Sequence, residues 1–429
     1  MQAFFPFFII LLVAVVFSQI FLRMRIPWVV SLIVGGMVVG PNGFGWFAPD
    51  STIDFLATIG LVFLMFMAGL ESKLSDVRGI KGKIALVASF VGLLPTVIGI
   101  AVALSLGYPL ATAVLVGIIF MSSAIALLVP TLQEHRIIDS TLGKTVVASA
   151  IIIDAISLLL LSVFLQVATT ESGTLDSLLI YPFAFLVLGL FAWVLPKMRW
   201  VALSGIEKDQ EDLFERELRF TVMILIGLVV FFEFVGLHAI IAGFFAGMIL
   251  SKSMANSLLK AKLHAISYGF FVPVFFVMVG ASTDVGVFFE GIDALLIMFA
   301  VIGSLVASKF VGGYLGGRLA GFTHQQSEFI GFAVMPQLST ALAVAFLGYG
   351  AGILDQALLS AIVGLAIVTS IISPIFVNML GRKIVIQKPE PSAEELPKTI
   401  IGGIKKSPTT VTDRPINEAS GNEETDSRE

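Results

Sequence analysis

Long apolar stretches separated by short polar segments recur along the first 380 residues of the chain. Each stretch is continuously apolar, without the alternation of a half-buried strand, and most are long enough to cross a hydrocarbon core of about 30 Å as a helix. Thirteen stretches can be read, near residues 3–22, 27–46, 53–70, 84–106, 108–131, 143–166, 179–197, 217–236, 238–252, 265–282, 292–317, 327–349 and 354–380. The pattern predicts an all-α polytopic membrane protein with about 13 transmembrane helices.

The positions of basic residues agree with this count, because Lys and Arg collect in cytoplasmic loops. Arg23 and Arg25 follow the first stretch, Arg136 and Lys144 the fifth, and Arg318 the eleventh. The loops after even-numbered stretches contain no Lys or Arg. This asymmetry predicts a multi-pass protein of the cell membrane, with its N-terminus outside and its C-terminus in the cytoplasm.

The apolar pattern ends at about residue 385. Pro389 and Pro391 then introduce a mixed-charge stretch with few apolar residues, which runs to Glu429. This composition is typical of disordered segments. We therefore predict a transmembrane domain over residues 1–384 and a disordered cytoplasmic tail over residues 385–429.

The composition narrows the functional classes. Hydrophobic residues make up 57% of the chain and charged residues 13%, which excludes an ordinary soluble domain. A net charge of −4 without a basic run argues against nucleic acid as a partner. The chain has no cysteine, and its four histidines lack the spacing of a zinc site. No phosphate loop or hydrolytic dyad is recognisable, so we expect no cofactor, no enzymatic activity and ion gradients as the energy source.

Three ionisable residues stand out within the apolar stretches, where such a group costs roughly 2.5–3.5 kcal/mol on insertion scales. Asp154 lies midway along the sixth stretch, Lys309 inside the eleventh and Glu233 near the outer end of the eighth. Burial among Ile and Leu disfavours the charged form of a carboxyl group, and the bare carboxylate is a hard oxygen ligand for Na⁺ or K⁺. Proton and cation are therefore expected to compete for Asp154.

Each of these residues also has a structural interpretation. Asp154 can be a carboxyl group that hydrogen-bonds to a neighbouring helix for packing alone. Lys309 lies toward the cytoplasmic end of its stretch, so its amine can reach the interface; if it stays inside, Asp154 is the obvious counter-ion. Glu233, close to the outer interface, is interpreted as a structural or pathway residue.

Cation binding in mid-membrane needs further oxygen atoms, which transporters supply by interrupting helices so that carbonyl groups face the site. Two stretches carry such a signal. The fifth contains Ser122 and Ser123 near its middle, and the twelfth contains Pro336 followed by Gln337, Ser339 and Thr340, all candidate ligands. One runs inward and the other outward, each followed by one more helix, as inverted repeats of stretches 1–6 and 8–13 require.

Several segments in a fixed order also carry a family resemblance. They are Arg25–Pro41, Leu64–Glu71, the Ser122–Ser123 stretch with Asp154 after it, His238–Gly247, and Phe271–Gly280 followed by Asp284. Through these segments, over about residues 20–380, the chain resembles the monovalent cation:proton antiporter superfamily, in its bacterial and archaeal Na⁺/H⁺ and K⁺/H⁺ exchanger branch.

The resemblance implies a homodimer in membrane lipid and a transmembrane domain of two subdomains. A dimerisation subdomain holds still, while a core subdomain with two crossed discontinuous helices moves Asp154 between the two faces of the membrane. On this analogy Asp154 carries either Na⁺ or K⁺ or a proton. Ser122, Ser123 and carbonyl groups of the interrupted helices complete the ligand shell, and Lys309 is similar to the basic residue of the family's core domain.

Two positions depart from the family pattern. Ile153 stands where many members have Asp, Asn or Gln before the key Asp, and Gln337-Leu338-Ser339 replaces a frequent Arg-Gly-Glu-like run. A single titrating carboxylate favours one-for-one electroneutral exchange, and the choice between Na⁺ and K⁺ stays open. No large nucleotide-sensing domain is recognisable, so gating by nucleotide or glutathione within this chain is not expected.

Two other functions compete with cation/proton antiport by alternating access. A Na⁺-coupled symporter of a small organic anion needs more polar or cationic groups in mid-membrane than the stretches provide. A membrane scaffold or sensor has no use for Asp154. The sequence therefore favours the antiporter.

Overall fold

The computed structural model describes residues 4–23, 26–71, 79–169, 215–234, 238–253, 257–289 and 291–386, and within these ranges the regular structure is helical throughout. The helices are α1 (Phe4–Arg23), α2 (Trp28–Val39), α3 (Ser51–Glu71), α4 (Lys81–Ser105), α5 (Leu110–Met121), α6 (Ile125–Glu134), α7 (Thr141–Thr169), α8 (Arg216–Phe234), α9 (Ala239–Ser253), α10 (Ser257–Ile266), α11 (Val272–Ala281), α12 (Ile292–Leu319), α13 (His324–Ala333), α14 (Ser339–Gly350) and α15 (Gln356–Ile386). Short helical turns cover Ser267–Phe271, which has π geometry, and Gly286–Phe289. Helices predominate because lipid offers backbone groups no hydrogen-bond partner.

The predicted class of fold is confirmed. Among the described residues, seven helical segments are long and apolar enough to cross a membrane, and four shorter apolar helices accompany them. The seventh predicted stretch, 179–197, and the tail beyond residue 386 lie outside the described residues. The count of 13, the orientation of the termini and the cytoplasmic tail therefore stay predictions.

Both predicted helix interruptions are present. The fifth stretch forms α5 and α6, which are separated by Ser122–Ala124, and the twelfth forms α13 and α14, which are separated by residues 334–338. Ser122 and Ala124 adopt extended backbone angles. The fold therefore contains two discontinuous helices, each followed by one continuous helix, α7 or α15.

Several predicted boundaries were wrong: α2 ends at Val39 rather than near residue 46, and α15 ends at Ile386 rather than near residue 380. The tenth stretch was expected to begin near residue 265, whereas α10 begins at Ser257 and continues through the π turn into α11. Lys260 is exposed and His264 is polar, but Leu259 and Leu263 on the opposite side are buried. An amphipathic first turn of this kind lowers the local hydrophobicity without ending the helix.

The helices pack in two groups. In the α4 group, α4 packs against α5, α7 and α12, and α12 packs against α13; in the α3 group, α3 packs against α9 and α11, and α2 against α1 and α11. Fewer contacts join the groups, chiefly between α3 and α14 and between α7 and α9. This arrangement leaves room for cavities along the boundary between the groups.

Reciprocal glycines bring helices of the α3 group into backbone contact. A Cβ on Gly247 of α9 would overlap the carbonyl oxygen of Phe66 on α3, and a Cβ on Gly69 of α3 would overlap that of Phe244 on α9. Gly36 of α2 and Gly280 of α11 face Val277 and Ile33 in the same way. In lipid such close approach is a main source of helix association, since the hydrophobic effect does not act between helices there.

We expect Gly247→Ala to lower the midpoint of thermal unfolding in detergent, because the new methyl group forces α3 and α9 apart at a cost of about 1–3 kcal/mol. Gly227→Ala is the matched control: this glycine is in α8, is exposed, and has nothing within 4 Å of a built Cβ. Equal midpoints for the two variants would contradict the close-contact interpretation.

Candidate functional site

The two helix interruptions meet and bond to each other. The Ala124 N–H donates to the Pro336 carbonyl at 2.8 Å, and the Ser123 hydroxyl donates to the Val334 carbonyl at 2.8 Å. The Gln337 side-chain amide makes two hydrogen bonds with Ser122. Its Nε2 donates to the Ser122 carbonyl and its Oε1 accepts from Ser122 Oγ, both at 2.6 Å. Each interruption thus satisfies polar groups that the other leaves free.

Asp154 of α7 faces this crossing and is 2% exposed. Its Oδ1 accepts from the Ser123 N–H at 3.1 Å, and its Oδ2 accepts from the Thr340 hydroxyl at 3.3 Å. Ser123 lies two residues before the first residue of α6, and Thr340 lies in the first turn of α14. The carboxylate therefore lies between the N-terminal ends of two half-helices, where backbone dipoles favour negative charge.

Lys309 of α12 is fully buried, which excludes the interfacial position considered for it. Its Nζ donates to the carbonyls of Met121 at 2.7 Å and Ser122 at 2.6 Å, and to Ser123 Oγ at 3.1 Å. These groups lie at the C-terminal end of α5, whose dipole favours positive charge. Lys309 therefore caps the interrupted end of α5.

The expected direct ion pair between Lys309 and Asp154 is absent, although the structure describes both residues; the ion pair seen within the described ranges is Lys262 with Glu215. Oxygen atoms of the α5 terminus surround the ammonium group instead. Ser123 connects the two charged residues, because its hydroxyl accepts from Lys309 and its backbone N–H donates to Asp154.

Most of the predicted site residues are brought together. Ser122, Ser123, Gln337 and Thr340 form the crossing, and Ser339 is buried at the start of α14. Glu233 lies away from the crossing: it is exposed and lines a cavity together with Gln166 of α7. Gln166 is itself three helical turns beyond Asp154, or roughly 18 Å by helical rise.

Sequence reasoning missed Thr369 of α15. Its hydroxyl accepts from the Gln337 N–H at 3.2 Å and donates to the Leu365 carbonyl at 2.8 Å. It therefore gives the second interruption a partner from the last helix. The available signal was the cluster of hydroxyl side chains Thr369, Ser370 and Ser373 in an otherwise apolar stretch.

Two cavities lie at opposite ends of α14. The Glu71 cavity, of about 540 Å³, is lined by Glu71, Gln133, Lys260 and His264 and reaches Ser339, the first residue of α14. The Glu233 cavity, of about 570 Å³, is lined by Glu233, Gln166 and His238 and reaches Gly350, the last residue of α14. Ser339 adjoins Thr340, so the Glu71 cavity comes within one residue of a hydrogen-bond partner of Asp154.

The donor set suits a small hard cation of single charge. It combines one carboxylate with hydroxyl and carbonyl oxygens, the ligands that hard cations prefer. In the part of the chain that the structure describes, no three His, Cys, Asp or Glu side chains lie together as a multivalent metal site requires.

Comparison with known families decides the class of protein. The family described as "Sodium/hydrogen exchanger, transmembrane" matches residues 8–383 of the chain. The chain belongs to this family. The resemblance to the monovalent cation:proton antiporter superfamily is thereby confirmed, and the chain is a multi-pass membrane protein of a transporter family.

Individual relatives of the sodium/hydrogen exchanger family match over most of their length. The chain is 29% identical to a probable Na⁺/H⁺ antiporter 3 of Methanocaldococcus jannaschii, across 87% of this chain and 96% of the relative. It is 28% identical to the Na⁺/H⁺-K⁺ antiporter GerN of Bacillus cereus, across 87% of this chain and 95% of the relative.

A solved structure shares the fold. The sodium proton antiporter MjNhaP1 of Methanocaldococcus jannaschii superposes with a TM-score of 0.68 at 16% sequence identity, over 89% of this chain and 98% of the other. At this identity the likeness concerns the fold alone.

We expect Lys309→Met to destabilise the protein, because the Met121 carbonyl loses its buried donor and the Ser122 carbonyl keeps only Gln337; an unsatisfied buried group costs about 1–3 kcal/mol. The midpoint of thermal unfolding in detergent is the measurement. Ser308→Ala is the control, since the hydroxyl of this neighbouring buried residue bonds only within its own helix, to the Leu305 carbonyl. A midpoint for Lys309→Met as high as that of the control would show that the cap is dispensable.

Proposed function

We propose that the chain is a secondary active antiporter that exchanges a monovalent cation, Na⁺ or K⁺, for H⁺ across the cell membrane. The observation that carries this proposal is the position of Asp154, a buried carboxyl group held between the N-terminal ends of two half-helices at the crossing. Relatives of the chain named as Na⁺/H⁺ antiporters, and one named as a Na⁺/H⁺-K⁺ antiporter, support the choice of ions.

Cation and proton exclude one another at Asp154 in this mechanism. Its oxygens accept two hydrogen bonds, from Ser123 N–H and Thr340 Oγ1, while a carboxylate has about four lone-pair sites. The remaining sites take either a proton or a cation. A protonated carboxyl group is a poor ligand for Na⁺ or K⁺, so each ion displaces the other.

The other oxygens differ in how free they are to bind the cation. The Ser122 carbonyl already accepts from Lys309 and Gln337, both at 2.6 Å, which uses both of its lone pairs. The Thr340 hydroxyl donates to Asp154, and its oxygen keeps lone pairs for a cation. We therefore assign Thr340 and Asp154 the leading roles, with Ser339, Ser122 Oγ and Ser123 Oγ completing the shell.

Lys309 and Gln337 act by positioning in this proposal. Lys309 holds the end of α5, and Gln337 ties the two interruptions together. The charge of Lys309 is satisfied by four oxygens of the protein, the three at the α5 terminus and the Val91 carbonyl, so it offers no free cationic group for an organic anion. This arrangement favours the antiporter over the symporter.

The two helix groups and the two cavities support alternating access as the mechanism. With the N-terminus outside, the Glu71 cavity opens toward the cytoplasm and the Glu233 cavity toward the outside. Movement of the α4 group, which carries Asp154, against the α3 group would expose the site to each cavity in turn. Sparse contact between the groups supports this motion, and a homodimer would anchor the α3 group in the membrane.

We expect Asp154→Asn to abolish cation-dependent proton flux in proteoliposomes that carry a pH dye, whichever of Na⁺, K⁺ or Li⁺ drives the wild type, because the amide neither exchanges a proton nor carries charge. Asp293→Asn, in the first turn of α12, removes a carboxylate away from the crossing and should keep wild-type flux. Flux that survives in folded Asp154→Asn protein, or a wild type that responds to no cation, would overturn the proposal.

We expect Thr340→Val to raise the cation concentration for half-maximal flux about tenfold, because a ligand and a charge-assisted hydrogen bond worth about 1.5–3 kcal/mol are lost. Thr340→Ser keeps the hydroxyl and should stay near the wild type. The measurement is flux against cation concentration in the same proteoliposomes. Equal shifts in the Val and Ser variants would point to packing rather than to the hydroxyl.

A further inference from the structure

A surface groove runs between α4 and α7, away from both cavities. Its volume is about 490 Å³, and its walls include Ala85, Ser89 and Leu93 on α4 and Ala148, Ile152 and Ile156 on α7. Leu93 is 60% exposed and Ile156 42% exposed, so the groove opens on the surface that faces hydrocarbon. Small residues on both helices create the depression.

The same end of both walls carries a lysine. The groove residues Ala85, Ser89 and Leu93 on α4 are four apart. Lys81 stands one turn before Ala85; it is exposed and lines the groove. The groove residues on α7, Ala148, Ile152 and Ile156, are also four apart, and Lys144 stands one turn before Ala148. Residues four apart lie on the same helix face, so Lys144 stands at the same end of the groove as Lys81, which is the lysine that lines it. No carboxylate lines the groove.

We propose that this groove binds one anionic phospholipid, with an acyl chain between α4 and α7 and the phosphate between Lys81 and Lys144. The wall from Lys81 to Leu93 covers three helical turns, roughly 18 Å by helical rise. That length corresponds to about one leaflet of a hydrocarbon core of about 30 Å. The charge at one end and the apolar depression beyond it match a lipid better than a soluble anion.

The headgroup decides which lipid is preferred. An acyl chain gains little hydrophobic free energy by moving from bulk lipid into the groove, because both surroundings are apolar. Juxtamembrane lysines attract anionic lipid by about 1 kcal/mol each. Two lysines therefore predict a preference for anionic over neutral phospholipid of roughly thirtyfold, the equivalent of about 2 kcal/mol.

The floor of the groove adjoins the crossing. Met121, whose carbonyl accepts from Lys309, and Ile153, which precedes Asp154, both line it. Gly92 adjoins the same floor, and a Cβ at this glycine would approach the Ile153 side chain to 3.2 Å. A bound chain would contact the segments that hold the crossing, yet lipid binding itself does not depend on the antiport proposed above.

The test measures binding of phosphatidylglycerol and of phosphatidylcholine with the same acyl chains to the full-length protein in detergent, by native mass spectrometry and by the shift of the thermal unfolding midpoint. Lys81→Gln combined with Lys144→Gln removes the charges. Lys83→Gln is the matched control, because Lys83 is at the same helix end but its ammonium group lies 4.8 Å over the Phe322 ring. Size-exclusion elution without added lipid reports whether each variant is folded.

A second pair of variants tests the acyl chain. Ser89→Phe fills the groove from α4, whereas Val97→Phe adds the same ring on an exposed part of α4 that does not line it. We expect Ser89→Phe to lose the high-affinity phosphatidylglycerol while Val97→Phe retains it.

In the wild type we expect phosphatidylglycerol to bind roughly thirtyfold more tightly than phosphatidylcholine. The preference should fall to near unity in the double lysine variant and persist in Lys83→Gln. Equal binding of the two lipids by the wild type, or an unchanged preference in the folded double variant, would overturn the proposal. So would displacement of the lipid by millimolar inorganic phosphate, which would identify a site for free anions.

Discussion

A helix that is interrupted inside a bilayer exposes backbone groups that lipid cannot satisfy, and the rest of this structure depends on how those groups are paired. Each interruption supplies partners for the other, through Ala124 with Pro336 and through Ser122 with Gln337. α15 adds Thr369, and α12 adds Lys309. The crossing is therefore a place where the two discontinuous helices, α12 and α15 must meet. It brings Asp154 of α7 close to unwound backbone.

The two buried charges occupy opposite ends of helix dipoles. Asp154 accepts from groups at the N-terminal ends of α6 and α14, whereas Lys309 donates to carbonyls at the C-terminal end of α5. Each charge is compensated by oriented backbone rather than by a direct pair. In the proposed mechanism, this separation lets the carboxylate exchange one bound ion for another while the ammonium group keeps its partners.

Outside the site, the helices pack tightly within the α3 group and more loosely at its boundary with the α4 group. Reciprocal glycines, such as Gly69 and Gly247, bring α3 and α9 into backbone contact, so the α3 group is tightly joined. The boundary with the α4 group is looser and contains polar cavities at both ends of α14. The groove between α4 and α7 shares no lining residue with either cavity, and it adjoins the same crossing through Met121 and Ile153.

The sequence alone determined the all-helical membrane fold, both helix interruptions and the central Asp154, because run length, Ser and Pro placement and the cost of a charge in lipid are local properties. Only the tertiary structure decided that Lys309 caps α5 instead of pairing with Asp154, that Thr369 belongs to the crossing and that Glu233 does not. Those outcomes depend on distances between atoms of different helices. Asp154 and Thr340, for example, are 186 residues apart in the chain but bond at 3.3 Å, and no periodicity along a sequence encodes such a distance.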